Sequence, residues 1–380
     1  MSIYDIVGVP FGYLMRIIYK ICGNYPVSII LFTVVANLIL LPIRYKNQKG
    51  TSRMQLLQPK LDKLKKSYAN NPQKLQEEQQ KLYQQEGYNP MGSCLPMFLQ
   101  MFMLFGVIDV IYKPITHILR ISRSVREAAV EVASKLIVEG GGKELSFKNL
   151  RCELYTMEQL SKTPAKFANL GEDFLDKVSA FNEKFTIFGA NLGQTPNLHP
   201  EEWTKEALVL CLIPFAAGVA QLISSIYSQL HQKKVNPTMQ AGGCMWGMTL
   251  VLPLWSIWLA FTFPAGIGFY WICSAIVNFI ITFALNQYFT IDRIKAINEK
   301  EKVKAKEYAE KHPGKKTFMQ KIMEQQAIYD EELNKARVDE NGDKISRSEM
   351  NKQNRDRIKE ARKRMAEKYG DDFDENDKED

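Results

Sequence analysis

Five long runs of apolar residues constrain this chain more than any other feature of its sequence. A helix needs roughly 17–25 mostly apolar residues to cross a bilayer, and each run reaches or approaches that length. A buried core helix is the alternative for either of the two shortest runs alone. Five runs bounded by charged residues in one chain predict an all-α membrane protein. The predicted spans are residues 26–43, 94–113, 207–227, 244–263 and 266–289.

Residues 1–25 precede the first span and do not resemble a cleavable signal peptide, because no basic stretch leads into a long apolar core. Apolar side chains recur there at helical spacing, opposite Arg16 and Lys20. This pattern predicts an external amphipathic helix that lies in the membrane interface. Its apolar face comprises Phe11, Leu14, Met15, Ile18 and Tyr19.

The charges between the spans predict the orientation of the chain. Residues 44–93 carry ten Lys or Arg against four acidic residues, and the loop 228–243 carries two lysines and no acid. Basic residues in short loops mark the cytoplasmic side, whereas long loops cross largely regardless of charge. Residues 116–206 balance twelve basic against thirteen acidic residues. We therefore expect the N-terminus outside and the C-terminus in the cytoplasm.

Three longer segments between and after the spans are polar. Residues 44–93 predict a cytoplasmic helical hairpin, whose second arm begins with Asn71 as the N-cap and Pro72 in the first turn. Pro59 predicts a start or a bend within the first arm. Residues 114–206 predict a small external helical cap. The tail, residues 290–380, carries 23 basic and 23 acidic residues and predicts solvated helix or disorder.

Motifs for enzymatic chemistry are absent from the sequence. The six cysteines form no CxxC pair and the four histidines are scattered along the chain. No phosphate-binding glycine loop, HExxH or GxSxG motif occurs, and no pair of aspartates lies within the spans. We therefore expect no cofactor, no metal and no catalytic site.

Several short motifs occur in the arrangement typical of one family of membrane proteins. The most specific is the run from Asn89-Pro90 to Cys94-Leu95-Pro96, and Pro264-Ala265-Gly266 before the last span is a second match. On these motifs the chain resembles the bacterial YidC family of membrane protein insertases, in a Gram-positive-like form, with relatives in mitochondria and chloroplasts. The resemblance covers the predicted membrane core, and the segments 114–206 and 290–380 add nothing to it.

The resemblance implies five spans around a hydrophilic groove that opens to the cytoplasm and the lipid but is closed outside. It further implies an insertase and chaperone that moves short membrane segments from the cytoplasm into the bilayer without nucleotide hydrolysis. The expected location is the bacterial cell membrane, with the lipid bilayer and nascent membrane proteins as partners of a monomer. The Sec translocon and, through the basic tail, the ribosome are candidate partners.

A small-solute transporter or channel is the alternative function, because polar residues within spans would serve it as well. Transporters of this kind are commonly built from repeats with broken helices in matching halves. Five predicted spans without internal symmetry argue against that architecture.

One residue of the resemblance departs from the family pattern. Where the family has an arginine midway along the first span, this chain has Asn37. Arg44 follows seven residues later, on nearly the same helical face and about 10 Å further toward the cytoplasm. We expect Asn37 to give the groove a polar floor and Arg44 to supply positive charge nearer its mouth.

Other polar residues recur within the spans at three- and four-residue spacing. Such side chains are costly in hydrocarbon, so they face a cavity or one another. Hydrogen bonding between packed helices is the alternative, and it is the preferred interpretation for a single Ser or Thr. The predicted groove residues are Asn37, Arg44, Gln100, Gln221, Ser225, Ser274 and Asn278.

Four lysines of the hairpin form a basic cluster: Lys60, Lys63, Lys65 and Lys66. We expect this cluster to contact lipid headgroups or substrate rather than ribosomal RNA. A solvated flank of the membrane is the alternative.

Overall fold

The computed structural model describes residues 3–86, 88, 95–235 and 243–311, and it is mostly helical. The chain divides into two compact units, residues 1–302 and 303–380; the described part of the second is the end of the last helix. The helices are α1 (Ile3–Cys22), α2 (Tyr25–Ser67), α3 (Pro72–Gln85), α4 (Leu95–Tyr112), α5 (Arg123–Glu139), α6 (Cys152–Lys162), α7 (Glu172–Lys184), α8 (Lys205–Val235), α9 (Gly243–Ala260), α10 (Ala265–Tyr288) and α11 (Ile291–Lys311).

Helix α2 is a single helix of 43 residues that contains both the first predicted span and the first arm of the hairpin. Asn24 caps it, since its side-chain oxygen accepts a hydrogen bond from the Val27 backbone at 3.2 Å. The helix continues through Pro42 and Pro59, so of the two alternatives predicted at Pro59, a start or a bend, the start does not occur. A proline within a helix removes one backbone hydrogen bond, a loss that neighbouring helices and local adjustments can offset.

Three helices in the described part of the chain are long and apolar enough to cross a membrane, namely α2, α8 and α10. Helices α4 and α9 coincide with the other two predicted spans and have 18 residues each. Large apolar side chains are exposed along α8, at a spacing that places them on one side of the helix. These are Leu212, Val219, Ile223, Ile226 and Leu230.

Helices α2 and α3 form the hairpin. The backbone N–H of Lys74 donates to the Asn71 side-chain oxygen at 3.1 Å, and α3 begins at Pro72, which agrees with the predicted cap. A small apolar cluster holds the two arms together, consisting of Leu57, Leu61, Leu82 and Tyr88. Residues 89–93, the end of the predicted hairpin segment, lie outside the described residues.

The segment of residues 114–206, called the insertion below, contains α5, α6 and α7, a π-helical turn (Ile115–Leu119) and a 3-10 helix (Pro164–Leu170). It also contains an antiparallel hairpin of β1 (Thr186–Ile187) and β2 (Ala190–Asn191), which the prediction of a small helical cap did not include. Phe188 and Gly189 join the strands with φ values of 49° and 88°. Two successive residues with positive φ match the twist of paired strands, which explains the tight turn.

Candidate functional site

A cavity of about 600 Å³ lies among α2, α4, α8, α9 and α10. Its wall is mixed, because apolar side chains such as Leu40, Ile281 and Leu285 alternate with polar ones. A polar wall within apolar helices favours a site that holds water or a polar ligand. The polar lining residues are Arg44, Asn47, Gln48, Gln100, Gln221, Ser256, Ser274, Asn278 and Thr282.

The cavity brings together five of the seven predicted groove residues, which come from four helices: Arg44, Gln100, Gln221, Ser274 and Asn278. Asn37 and Ser225 are not among its lining residues. Asn37 is fully buried within α2, where its amide nitrogen donates to the Thr33 backbone oxygen at 2.7 Å. Ser225 is partly buried on α8.

Asn47 and Gln48 also line the cavity, although no sequence argument singled them out. They lie three and four residues after Arg44, so they occupy the next turn on the same face of α2. This spacing was the available signal. The charge pattern predicts that the segment after Arg44 belongs to a separate hairpin, so the sequence argument did not include Asn47 and Gln48. In the structure α2 is continuous through this segment, and both residues lie on the cavity wall.

The polar side chains of the cavity retain unused hydrogen-bonding capacity. Asn278 donates to the Ser274 hydroxyl oxygen at 3.3 Å, while its own amide oxygen is buried and has no partner among the residues that the structure describes. Arg44 lines the same cavity and forms no ion pair within the described residues. Unpaired polar groups at a cavity are satisfied by water or by a ligand, so the site is suited to a polar, preferably acidic, group.

The start of α10 is tied to the insertion by its backbone. The N–H groups of Ala265 and Gly266 donate to the carbonyl oxygens of Gln194 and Leu192, each at 2.8 Å. The first N–H groups of a helix lack partners within the helix, so these two bonds satisfy donors that would otherwise be unpaired. Ala265, Gly266 and the following Ile267 are buried at this end of α10.

Trp255 connects the cavity to the outer surface of the helices. It lines the cavity, yet 58% of its surface is exposed. The exposed ring of Trp258 lies beside it, with the ring centroids 4.8 Å apart. The cavity wall therefore continues at α9 onto an apolar surface of the kind that contacts lipid.

The four predicted hairpin lysines differ in their surroundings. All four are exposed on α2, but Lys60 Nζ lies 2.5 Å from a Glu86 carboxylate oxygen, whereas Lys63, Lys65 and Lys66 form no ion pair within the described residues. These three therefore present most of the positive charge that the cluster offers to solvent.

A family model described as "60Kd inner membrane protein" matches residues 17–293, well over half of the chain. A membrane protein insertase YidC of Treponema denticola is 42% identical over 95 residues, which cover 25% of this chain and 16% of that protein. Proteins of the same name from Clostridium perfringens and Clostridium tetani are 42% identical over 90 residues and 48% identical over 77 residues.

The match to the first Clostridium protein covers 24% of this chain and 38% of the relative, and the match to the second covers 20% and 35%. The aligned part of the chain thus spans well under half the length of these curated relatives. The three alignments are 77 to 95 residues long.

Proposed function

Because the chain belongs to the 60Kd inner membrane protein family, we propose that it is an insertase and chaperone that moves short membrane segments from the cytoplasm into the bilayer. The observation that carries the proposal is the polar cavity among apolar helices, on whose wall Arg44 and the Asn278 amide oxygen have no partner within the described residues. The relatives named as membrane protein insertases support the same activity.

The mechanism follows from the cost of placing polar groups in hydrocarbon. Transfer of a peptide group from water to an apolar environment, without a new hydrogen bond, costs roughly 2–7 kcal/mol. A hydrated cavity lowers this cost for the polar tail of a substrate, and Arg44 attracts an acidic tail. The apolar segment that follows the tail then leaves past Trp255 and enters the lipid, driven by its own transfer free energy. No nucleotide is consumed.

We further propose five spans, formed by α2, α4, α8, α9 and α10, around a groove that opens to the cytoplasm. The excess of basic residues in the hairpin and in residues 228–243 supports a cytoplasmic position for both. The prediction of a loop from residue 228 is corrected by the structure, because α8 continues to Val235 and includes Lys233 and Lys234. The insertion and α1 then lie outside the membrane core, on the opposite side. The bonds from Ala265 and Gly266 to the insertion support closure of the groove at that end.

The proposed partners follow from this topology. The substrates are nascent membrane proteins, and the exposed Lys63, Lys65 and Lys66 are placed to meet anionic lipid headgroups. The Sec translocon, and the ribosome through the basic tail, are further proposed partners. The protein acts as a monomer and performs no covalent chemistry.

The test uses the full chain reconstituted into sealed vesicles, with a short membrane protein that carries an acidic outer tail as the substrate. We expect Arg44→Ala to reduce insertion about fivefold, equivalent to about 1 kcal/mol in the barrier. Lys46→Ala is the matched control, because Lys46 is an exposed neighbour that does not line the cavity. This variant should insert the substrate at the rate of the unchanged protein. Vesicles that leak small solutes but never insert the substrate would support the transporter alternative instead.

A further inference from the structure

One face of α2 beyond the cavity contacts the end of α10. The amide nitrogen of Gln48 donates to the Asn286 side-chain oxygen at 2.6 Å. The Tyr45 ring lies 5.8 Å from the Tyr288 ring and 4.9 Å from the Phe289 ring, measured between centroids. Polar and aromatic contacts together join the two helices at this point.

Glu301 of α11 adds an ionic contact to the same face. Its two carboxylate oxygens bond separately to Lys49 Nζ and Arg53 Nη2. These two cations are four residues apart on α2, so they lie on one side of the helix, and their side chains are mostly buried. Hydrogen bonds between ionised partners are stronger than neutral ones, and one carboxylate here holds two successive turns of α2.

These contacts bound one end of the cavity. Gln48 both lines the cavity and bonds to Asn286, and Leu285, the residue before Asn286, also lines it. On α2, Arg44 and Asn47 lie within the same two turns as Lys49. The position of α2 relative to α10 therefore determines how far apart the two polar walls stand. Glu301 does not line the cavity itself.

We propose that Glu301 is a positioning residue, which fixes α2 against α10 and so sets the width of the cavity at the end where substrate enters. The effect on insertion rests on the proposed insertase function, whereas the effect on helix spacing does not. Glu301 acts through Lys49 and Arg53 and contacts no substrate.

The functional test compares two charge reversals on the same helix. Glu301→Lys places three cations together, and insertion should fall about fivefold. Glu299→Lys makes the same change in charge two residues earlier, at an exposed position, and should leave insertion unchanged. Combining Glu301→Lys with Lys49→Glu and Arg53→Glu restores opposite charges, so insertion should recover. If this swapped variant folds but remains as impaired as Glu301→Lys, the proposal is overturned.

The structural test measures the spacing of α2 and α10 directly. Spin labels are placed at the exposed residues Lys46 and Gln287, in a full-length background without native cysteines, reconstituted in lipid. We expect a narrow distance distribution that broadens with Glu301→Lys, remains narrow with Glu299→Lys and narrows again in the swapped variant. Unchanged distances in Glu301→Lys would overturn the proposal. If the label distances change with Glu301→Lys but the protein never inserts substrate, the positioning role of Glu301 stands and the insertase function is rejected.

Discussion

The Asp109 carboxylate lies 2.6 Å from the imidazole nitrogen Nε2 of His117, one at the end of α4 and the other in the π-helical turn that follows. Both side chains are buried, and Lys113 Nζ is 2.6 Å from the second carboxylate oxygen. Gly8 and Gly12 of α1 pack directly on this pair. The absence of side chains at these glycines allows α1 to approach the charged cluster and cover it.

This close packing predicts that larger residues at the two glycines destabilise the protein. A Cβ atom at Gly8 would overlap the Asp109 carboxylate, and one at Gly12 would overlap the His117 ring. We expect Gly12→Leu to lower the free energy of unfolding by about 1–3 kcal/mol, the usual cost of overpacking. Thermal unfolding in detergent measures the change. Gly50→Ala is the control, because a Cβ atom there meets no atom of the described residues within 4 Å; a loss of stability as large as that of Gly12→Leu would contradict the explanation.

The buried Glu153 predicts a pH dependence in the insertion. Burial raises the pKa of its carboxyl, although hydrogen bonds from Thr116 and the charge of Arg126 partly offset that effect. The unfolded pKa is about 4.3, so the folded state binds the proton more tightly. Proton binding by Glu153 therefore stabilises the folded state fully below about pH 4. This stabilisation is lost as the pH rises through the raised pKa of the folded state.

Glu153→Gln removes this titration. The stability of the variant relative to the natural protein should therefore increase as the pH rises from about 4 through the raised folded pKa. Thermal unfolding at several pH values measures the difference. Glu131→Gln is the control, since the hydrogen bond from Lys135 lowers the pKa of Glu131. The stability of that variant relative to the natural protein should therefore decrease, not increase, as the pH rises. A difference for Glu153→Gln that is independent of pH would show that this carboxyl does not titrate as inferred.

Asn37→Leu distinguishes a structural amide from a groove residue. In the described part of the chain the Asn37 side-chain oxygen is buried without a partner, which costs about 1–3 kcal/mol, whereas the bond that its amide donates contributes about 0.5–1.5 kcal/mol. We expect the free energy of unfolding of the variant to be about 1 kcal/mol higher than that of the natural protein. Insertion should fall less than it does with Arg44→Ala. The same reconstituted insertion assay provides the comparison. Equal loss of insertion in both variants would place Asn37 in the groove with Arg44.

The exposed hairpin lysines predict contact with anionic lipid. Each basic residue near an anionic surface contributes about 1 kcal/mol, so replacing Lys63, Lys65 and Lys66 by Gln should remove about 3 kcal/mol of attraction. An environment-sensitive dye on Ser67→Cys, in nanodiscs with and without anionic lipid, reports the contact. Lys60→Gln should have a smaller effect, because Lys60 is paired with Glu86. A dye signal independent of lipid charge would argue for a solvated hairpin.

The sequence by itself determined the parts of this protein that depend on local patterns. Long apolar runs form α2, α8 and α10 because a helix satisfies its own backbone hydrogen bonds within one segment. Asn71 caps the second arm of the hairpin for a similarly local reason, since its side chain reaches a backbone N–H three residues later. The family resemblance also rested on short contiguous motifs.

The tertiary structure decided which polar residues meet. Asn37 and Arg44 share one face of α2 in the sequence pattern, yet only Arg44 lines the cavity, because neighbouring helices bury Asn37. Glu301 lies in a charged tail that suggested solvated helix, and its partners Lys49 and Arg53 are about 250 residues away in the chain. Periodicity shows which way a side chain points along its own helix, but the contact it makes depends on where a distant helix packs.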